Sequence, residues 1–420
     1  MKPSLPIDIV LLGAGHRGHH VYGQWALEHP HELRFVAVAE PDPLRRTRFA
    51  EAHGIPAKRQ FRSWQELIAA GRLAPALLNA TMDTLHADST LAALDAGYHI
   101  LLEKPMALTP EAVRAMVARA RERERLLMVC HVLRYAPFFH TVHEIIRSGR
   151  LGEIITVEHR ENVSFWHMAH AYVRGNWRNT EVAAPMILAK SCHDLDLLVW
   201  NLGRRCERVA SFGRLTHFRP DKIPYQPADA VPDYCLDGCP IAAACPWYAP
   251  HIYLPHLGRW PTVVLTPDQS GAGVLHALEQ GPYGRCVYRC DNNVVDHHVA
   301  TFEFEGGITV TFTMHGHSHE EGRTMRYDGS LATLRASEPR QEIEIIDHRS
   351  GERHVIQSGA SRSGHGGGDA ALMESFVRVL RGEEHPLTSA ELSMESHLIA
   401  FAAEQARIEG RVVEMEELRQ

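Results

Sequence analysis

The segment that most constrains this chain is residues 7–18, where the apolar run Ile-Asp-Ile-Val-Leu-Leu passes directly into Gly13-Ala14-Gly15-His16-Arg17-Gly18. A buried strand that feeds a glycine-rich turn and then a helix-compatible run (residues 19–27) has the form of a dinucleotide cradle. One glycine makes the tight turn, one lets backbone approach a pyrophosphate, one permits close helix packing, and the helix N-terminus attracts negative charge. A second apolar run, residues 33–39, ends in Glu40, 22 residues past Gly18. An acidic side chain there accepts the adenosine ribose hydroxyls and repels a 2′-phosphate, so NAD is the expected cofactor. Arg45 and Arg46 leave NADP open, and Arg17 is expected to face the pyrophosphate.

Further short apolar runs at 76–80, 99–102 and 126–130 alternate with helical stretches, which predicts an N-terminal Rossmann domain, a doubly wound parallel sheet, over residues 1–134. The texture then changes. A helix over 137–147, a strand over 153–163, a helix over 186–202 and alternating strands at 299–304 and 308–314 predict a C-terminal α+β domain over 135–420 with a large, mostly antiparallel sheet. Residues 219–290, rich in Cys, Pro and Gly, read as an insertion carrying its own staple, since a structureless loop of that length is abnormal. Helices over 369–380 and 389–408 close the chain, the first preceded by Gly364-His365-Gly366-Gly367-Gly368 with Asp369 as N-cap.

The balance of 44 basic and 51 acidic residues, net −7, with no long basic run, argues against a nucleic-acid partner. No apolar run approaches a membrane span and the first residues lack the form of a signal peptide, so a cytoplasmic location is expected.

With Ala39-Glu40-Pro41-Asp42, Thr81 with His86, Glu103-Lys104-Pro105, Arg134-Tyr135 and the helical His193-Asp194-Leu195-Asp196 added to the glycine motif, the chain resembles the glucose-fructose oxidoreductase, inositol dehydrogenase and MocA family (Gfo/Idh/MocA) over essentially its whole length. The resemblance implies that Thr81, His86 and Glu103 join Gly13, Gly15, His16, Arg17, Gly18 and Glu40 around the cofactor, and that Lys104 sits beside nicotinamide and the reacting hydroxyl. It also implies a sugar or polyol as substrate and a homodimer or homotetramer built on the open face of the sheet. The family often has an aspartate four residues before the helical histidine. Here that place is Ala189, followed by Lys190, so the usual Asp-His pair does not carry over.

Oxidising an alcohol requires a proton acceptor within hydrogen-bond reach of the oxygen while hydride leaves carbon. Lys104 is the first candidate and His193 the second. At about 100° per helical residue, Lys190 and Asp196 lie about 60° to either side of His193, so Lys190 is a third candidate and Asp196 a neighbour on that face. His167, His170, Tyr172, Arg174, Trp177 and Arg178 crowd one short stretch with the aromatic, guanidinium and imidazole groups that bind a polyhydroxylated ligand, and Asn293 is a rim candidate. A different reaction suits the same frame: NAD-dependent glycoside hydrolysis by transient oxidation, elimination, hydration and reduction, with the histidines as second base. Cys235, Cys239, Cys245 and Cys286 would satisfy a tetrahedral structural zinc and hold the insertion.

Overall fold

The computed structural model describes residues 5–359 and 364–420. In the first half, β1 (Ile7–Leu12), β2 (Leu33–Ala39), β3 (Gln60–Phe61), β4 (Ala76–Asn79), β5 (His99–Leu102) and β6 (Leu127–Val129) form one six-stranded sheet in the order β3-β2-β1-β4-β5-β6. Every pairing in it is parallel. The runs Ile9 to Leu12 and Ile100 to Leu102 are fully buried, as strands covered by helices on both faces must be. Strand order reverses between β1 and β4, and in open parallel sheets such a switch point, at the carboxyl ends of the strands, is where ligands bind.

The second sheet contains β7 (Ile154–Ser164), β8 (Cys206–Arg214), β9 (His297–Phe304), β10 (Ile308–Ser318), β11 (Gly322–Gly329), β12 (Ala332–Ser337), β13 (Glu342–Asp347), β14 (Arg353–Gln357) and β15 (Val413–Glu414). Their order is β14-β13-β12-β11-β7-β10-β9-β8-β15, antiparallel throughout except for the parallel pair β7–β10. Alternation along β7 sends Val157, His159, Glu161 and Val163 inward and Glu158 and Arg160 outward. Four helices complete the frame: α1 (Pro137–Arg147), α2 (Cys192–Leu202), α3 (Gly368–Leu380) and α4 (Ala390–Glu409). α4 packs on β8 and α2 and also on the Pro110–Glu122 helix of the first half, so the end of the chain ties the two sheets together.

Two expectations change. The helix predicted over 186–202 is two helices, Met186–Ala189 and α2, parted at Lys190 and Ser191. In an unbroken helix the Ala189 carbonyl would accept from the amide of His193; here it accepts from a lysine of the other half. The helix expected after the glycine turn begins as a π-helical stretch, His16–Gly23, before a short α-helix, Gln24–Glu28. The insertion packs into the main core, with helices Ala249–Tyr253 and Gly271–Gln280 burying Tyr253, Val274 and Leu278 against it. Among the described residues no helix is long and apolar enough to cross a membrane.

Candidate active site

The glycine turn fits a dinucleotide on steric grounds. Gly13 has φ +85°, and a Cβ there would lie 2.4 Å from the Ala80 carbonyl oxygen; a Cβ on Gly18 would lie 2.1 Å from that of Gly13. Gly15 has nothing within 4 Å of its Cβ position, which leaves backbone open to a ligand on that side. Glu40 is buried, and its carboxylate accepts the Ala14 amide at 2.8 Å and the Asp42 amide at 3.0 Å, one on each oxygen. Each oxygen keeps a second lone pair for a ribose hydroxyl. Arg46 donates to the carbonyls of Glu40 and Pro41. His86 places its Nδ1 2.7 Å from the Pro105 carbonyl oxygen and its Nε2 3.1 Å from that of Thr81, so it braces the turn that carries Lys104 against the loop after β4. His16 flanks the cradle; burial, with Arg17 and His20 nearby, lowers its imidazole to about 4.

Arg17 has another use than the expected one. Its Nε donates to Glu103 at 2.6 Å and its Nη2 to Asp369 at 2.7 Å, so two carboxylates hold the guanidinium. Glu103 also accepts from Tyr22 and from the Lys104 amide. Burial pushes the Glu103 carboxyl up, but Arg17 and the neighbouring Lys104 outweigh it and keep the group ionised.

Lys104 follows β5 at the carboxyl edge of the parallel sheet. Its Nζ donates to the Ala189 carbonyl oxygen at 3.0 Å, at the position where an aspartate is often found in the family. Among the described residues no carboxylate pairs with that amine. Beside it His193 is buried and its Nδ1 has no partner. Burial, reinforced by the positive charge of Lys104, drives the His193 imidazole well below its ordinary value, so it is neutral.

Lys190 does not share a face with His193. It projects from the break between the two helices, 3.1 Å from Glu161 and 3.4 Å from Glu321. Burial alone would lower its ammonium; the two carboxylates overcome this and hold it above its ordinary range, which rules out a base there. Asp196 is taken up by Arg134 in a bidentate pair at 2.6 and 2.7 Å within the core. His167 faces the same Glu321 at 2.8 Å, and Tyr172 lies in the field of Lys190, so His167, Tyr172 and Lys190 stay together on the sheet side of the cleft.

The other expected ligand contacts hold structure. Arg174 is fully buried and donates to the carbonyls of Arg285 and Trp247, both at 2.7 Å, pinning the insertion. His170 packs face to face on Tyr283 and meets the Tyr253 hydroxyl at 3.1 Å. Trp177 donates to Asp83 at 3.0 Å across to the first half. Arg178 is bidentate with Asp291, and Asn293 accepts the Thr180 amide at 2.8 Å. His170 packs against the insertion and His167 on Glu321, so of His167, His170 and His193, the three histidines that could serve as the second base of glycoside elimination, His193 alone keeps a buried ring nitrogen without a partner among the described residues.

The zinc expectation is also corrected. Among the described residues no three His, Cys, Asp or Glu side chains come together to hold a metal ion. Cys235 Sγ instead lies 3.6 Å from Arg174 Nη2, and burial pushes the Cys286 thiol up to about 11 and raises that of Cys245, which keeps the Cys286 and Cys245 sulfurs protonated. Arg174 is the staple that the cysteines were expected to supply.

A buried charge network went unread in the sequence. Glu161, on the inner face of β7, meets Arg323 at 2.7 Å as well as Lys190, and Arg323 reaches Asp194 at 2.8 Å, which also meets His159 at 2.8 Å. Burial raises the Glu161 carboxyl while Arg323 and Lys190 oppose it. The signal was available, because His159 and Glu161 fall in register with Val157 and Val163 on the face a strand hides.

The switch point of a parallel sheet, a glycine cradle with an acidic residue at the end of β2, and an amine at the end of β5 define a nicotinamide-dependent oxidoreductase. The chain belongs to the Gfo/Idh/MocA oxidoreductase family. The family's NAD-binding Rossmann domain matches residues 7–131 and its C-terminal alpha/beta domain residues 143–415. It is similar to the putative oxidoreductase YteT of Bacillus subtilis, 24% identical over 71% of this chain and 70% of that one. It is also similar to 1,5-anhydro-D-fructose reductase of Ensifer adhaerens, 36% identical over 28% of this chain and 35% of the reductase. Among solved structures, an inositol dehydrogenase homolog complexed with NAD+ from Azotobacter vinelandii superposes with TM-score 0.70 at 18% identity, covering 98% of each chain.

Proposed function

We propose that this chain moves hydride between NAD and a secondary hydroxyl of a sugar or polyol, with residues 1–134 holding the cofactor and 135–420 the substrate. The observation that carries the reading is Lys104, a cation at the carboxyl edge of the parallel sheet whose side-chain amine has one hydrogen-bond partner among the described residues, a backbone carbonyl. Bound nicotinamide supplies the hydride acceptor. Lys104 donates to the reacting oxygen and stabilises negative charge developing there, and neutral His193 beside it accepts a hydrogen bond from the hydroxyl or takes its proton. Lys190, Tyr172 and His167 bind the remaining hydroxyls from the far wall.

A carbohydrate is supported by the names of the relatives, a reductase of anhydrofructose and a homolog of inositol dehydrogenase. Those names also favour net hydride transfer over redox-neutral glycoside cleavage. NAD is favoured over NADP by Glu40, whose position leaves no room for a 2′-phosphate's charge. The open face of the second sheet, with Phe212 74% and Val299 38% exposed, suits a homodimer or homotetramer.

The test is absorbance of reduced nicotinamide while the protein and NAD are offered inositols, aldoses and, separately, aryl glycosides whose aglycone is followed. NADH formed in step with polyol consumed, and lost in Lys104→Ala, supports the reading; aglycone release without NADH overturns it.

A further inference from the structure

Oxidation of R₂CH–OH to R₂C=O leaves one proton on the enzyme for every hydride taken by the cofactor, and that proton must reach solvent before the next turnover. The surroundings of His193 offer two imidazoles. His131 lies 5.7 Å away between ring centres but is fully buried and ends against His397 and Asp196, so it leads nowhere. His365 lies 6.0 Å from His193 between ring centres, and 42% of its side chain is exposed.

The fold goes to some length to place His365. It has φ 47°, a left-handed conformation uncommon for a residue with a side chain, and it is followed by Gly366 at φ 62° and Gly367 at φ 95°. Its Nδ1 meets Asp369 at 2.9 Å; the other oxygen of that carboxylate is held by Arg17 at 2.7 Å, and Arg17 is fixed in turn by Glu103, the residue before Lys104. Burial would raise the Asp369 carboxyl, but Arg17 and His365 hold it far below its ordinary range, so it is an anion that orients the ring. Its Nε2 has no partner among the described residues, and neither does the buried Nδ1 of His193. With ring centres 6.0 Å apart and no direct hydrogen bond between the rings, a proton passing from one to the other would cross by way of water.

We propose that His365, oriented by Asp369, is the proton outlet of the site. The proton released at the reacting oxygen passes from the Lys104–His193 centre to His365 Nε2 and from there to solvent. The first transfer breaks the substrate O–H bond and makes an N–H bond, the passage to His365 breaks that N–H bond and makes one at Nε2, and the last breaks the Nε2–H bond and makes an O–H bond to water, so no other reactant is needed. His365 thus acts through His193 and does not touch substrate. The neighbouring carboxylate–arginine chain makes the outlet part of the same rigid body as the Glu103-Lys104 turn.

The proposal rests on the oxidoreductase reading above, and one experiment separates the two. NADH formation is measured for wild type, His365→Gln, His365→Ala and Asp369→Asn on the inositols and aldoses, with NADH affinity read by fluorescence. Imidazole is then added to each. The expected result is active wild type, NADH affinity retained in both His365 variants, turnover lowered about tenfold or more as for a lost proton-transfer group, and recovery of His365→Ala in proportion to imidazole. His365→Gln keeps the size of the ring, so its loss would report proton transfer and not packing. Turnover equal to wild type in both His365 variants, or a loss that imidazole does not restore, overturns the outlet and leaves the oxidoreductase reading standing. No NADH from wild type on any sugar or polyol overturns the reading and the outlet together.

Discussion

Two lysines face the cleft from opposite walls, and their surroundings give them opposite properties. Lys104, on the wall built by the parallel sheet, meets a single carbonyl oxygen at 3.0 Å. Lys190, on the wall built by the second sheet, stands between Glu161 and Glu321 with Arg323 behind them. One amine is free to follow a charge that appears during reaction, and the other is neutralised before any ligand arrives. The residue type is the same, so the neighbouring carboxylates decide which wall does chemistry and which wall binds.

The largest expected effect breaks the comparison on the reactive wall. Lys104→Ala should lower turnover about 10³-fold, the range of a lost acid–base group, with NADH affinity nearly unchanged. Equal losses in Lys104→Ala and Lys190→Met, measured side by side, would erase the distinction. The binding wall should show itself in stability. Glu161→Gln leaves Lys190 and Arg323 with one anion fewer in a buried network, and denaturant unfolding should report a loss of about 3 kcal/mol, as for a broken buried ion pair.

Acid sensitivity comes from buried imidazoles beyond the two walls as well as from His193. Burial lowers the imidazoles of His298 and His397 to about 3, with Arg407 adding to the effect on the first and His131 on the second. The folded protein therefore binds fewer protons than the unfolded chain between roughly pH 6.5 and 3, and stability must fall as pH falls through that window, by about 1.4 kcal/mol per pH unit for each such group. Thermal unfolding at pH 7 and pH 5 should show the drop, and His397→Gln should make it shallower. Smaller again is the effect on the binding wall's amine. Lys190→Met should raise KM about tenfold and leave kcat close to wild type, as expected when an interaction is equal in ground and transition states. Least of all is metal removal: with Arg174 as the staple of the insertion, a chelator should leave the unfolding temperature where it was, whereas Arg174→Met should lower it.

Much of the fold was legible. Strands β1, β2 and β5 and helix α1 fall where periodicity puts them, because short buried runs in a parallel sheet and an amphipathic helix are set by local pattern. The break at Lys190 was not legible, because it depends on a carbonyl being claimed by Lys104, 85 residues earlier in the chain. Arg174, Arg178 and Asn293 read as ligand groups because guanidinium and amide side chains suit a sugar and a loop carbonyl equally well. Only their partners tell which use is made of them.

The sequence alone determined the cradle and its cofactor, since the glycine at 18 answers to a clash with the Gly13 carbonyl five residues before it and Glu40 to a fixed offset along one βαβ unit, although the clash that keeps position 13 a glycine comes from Ala80, just past the neighbouring strand β4. It also determined that Lys104 stands at a strand end. Tertiary structure alone decided which charges surround each cation. Glu161 reaches Lys190 from β7 and Glu321 from the turn between β10 and β11, and Asp369 reaches Arg17 across 352 residues. Local preference cannot encode such pairings, because a charge is tuned by whatever lies within a few ångströms of it, and that is known only once the sheets have closed on each other.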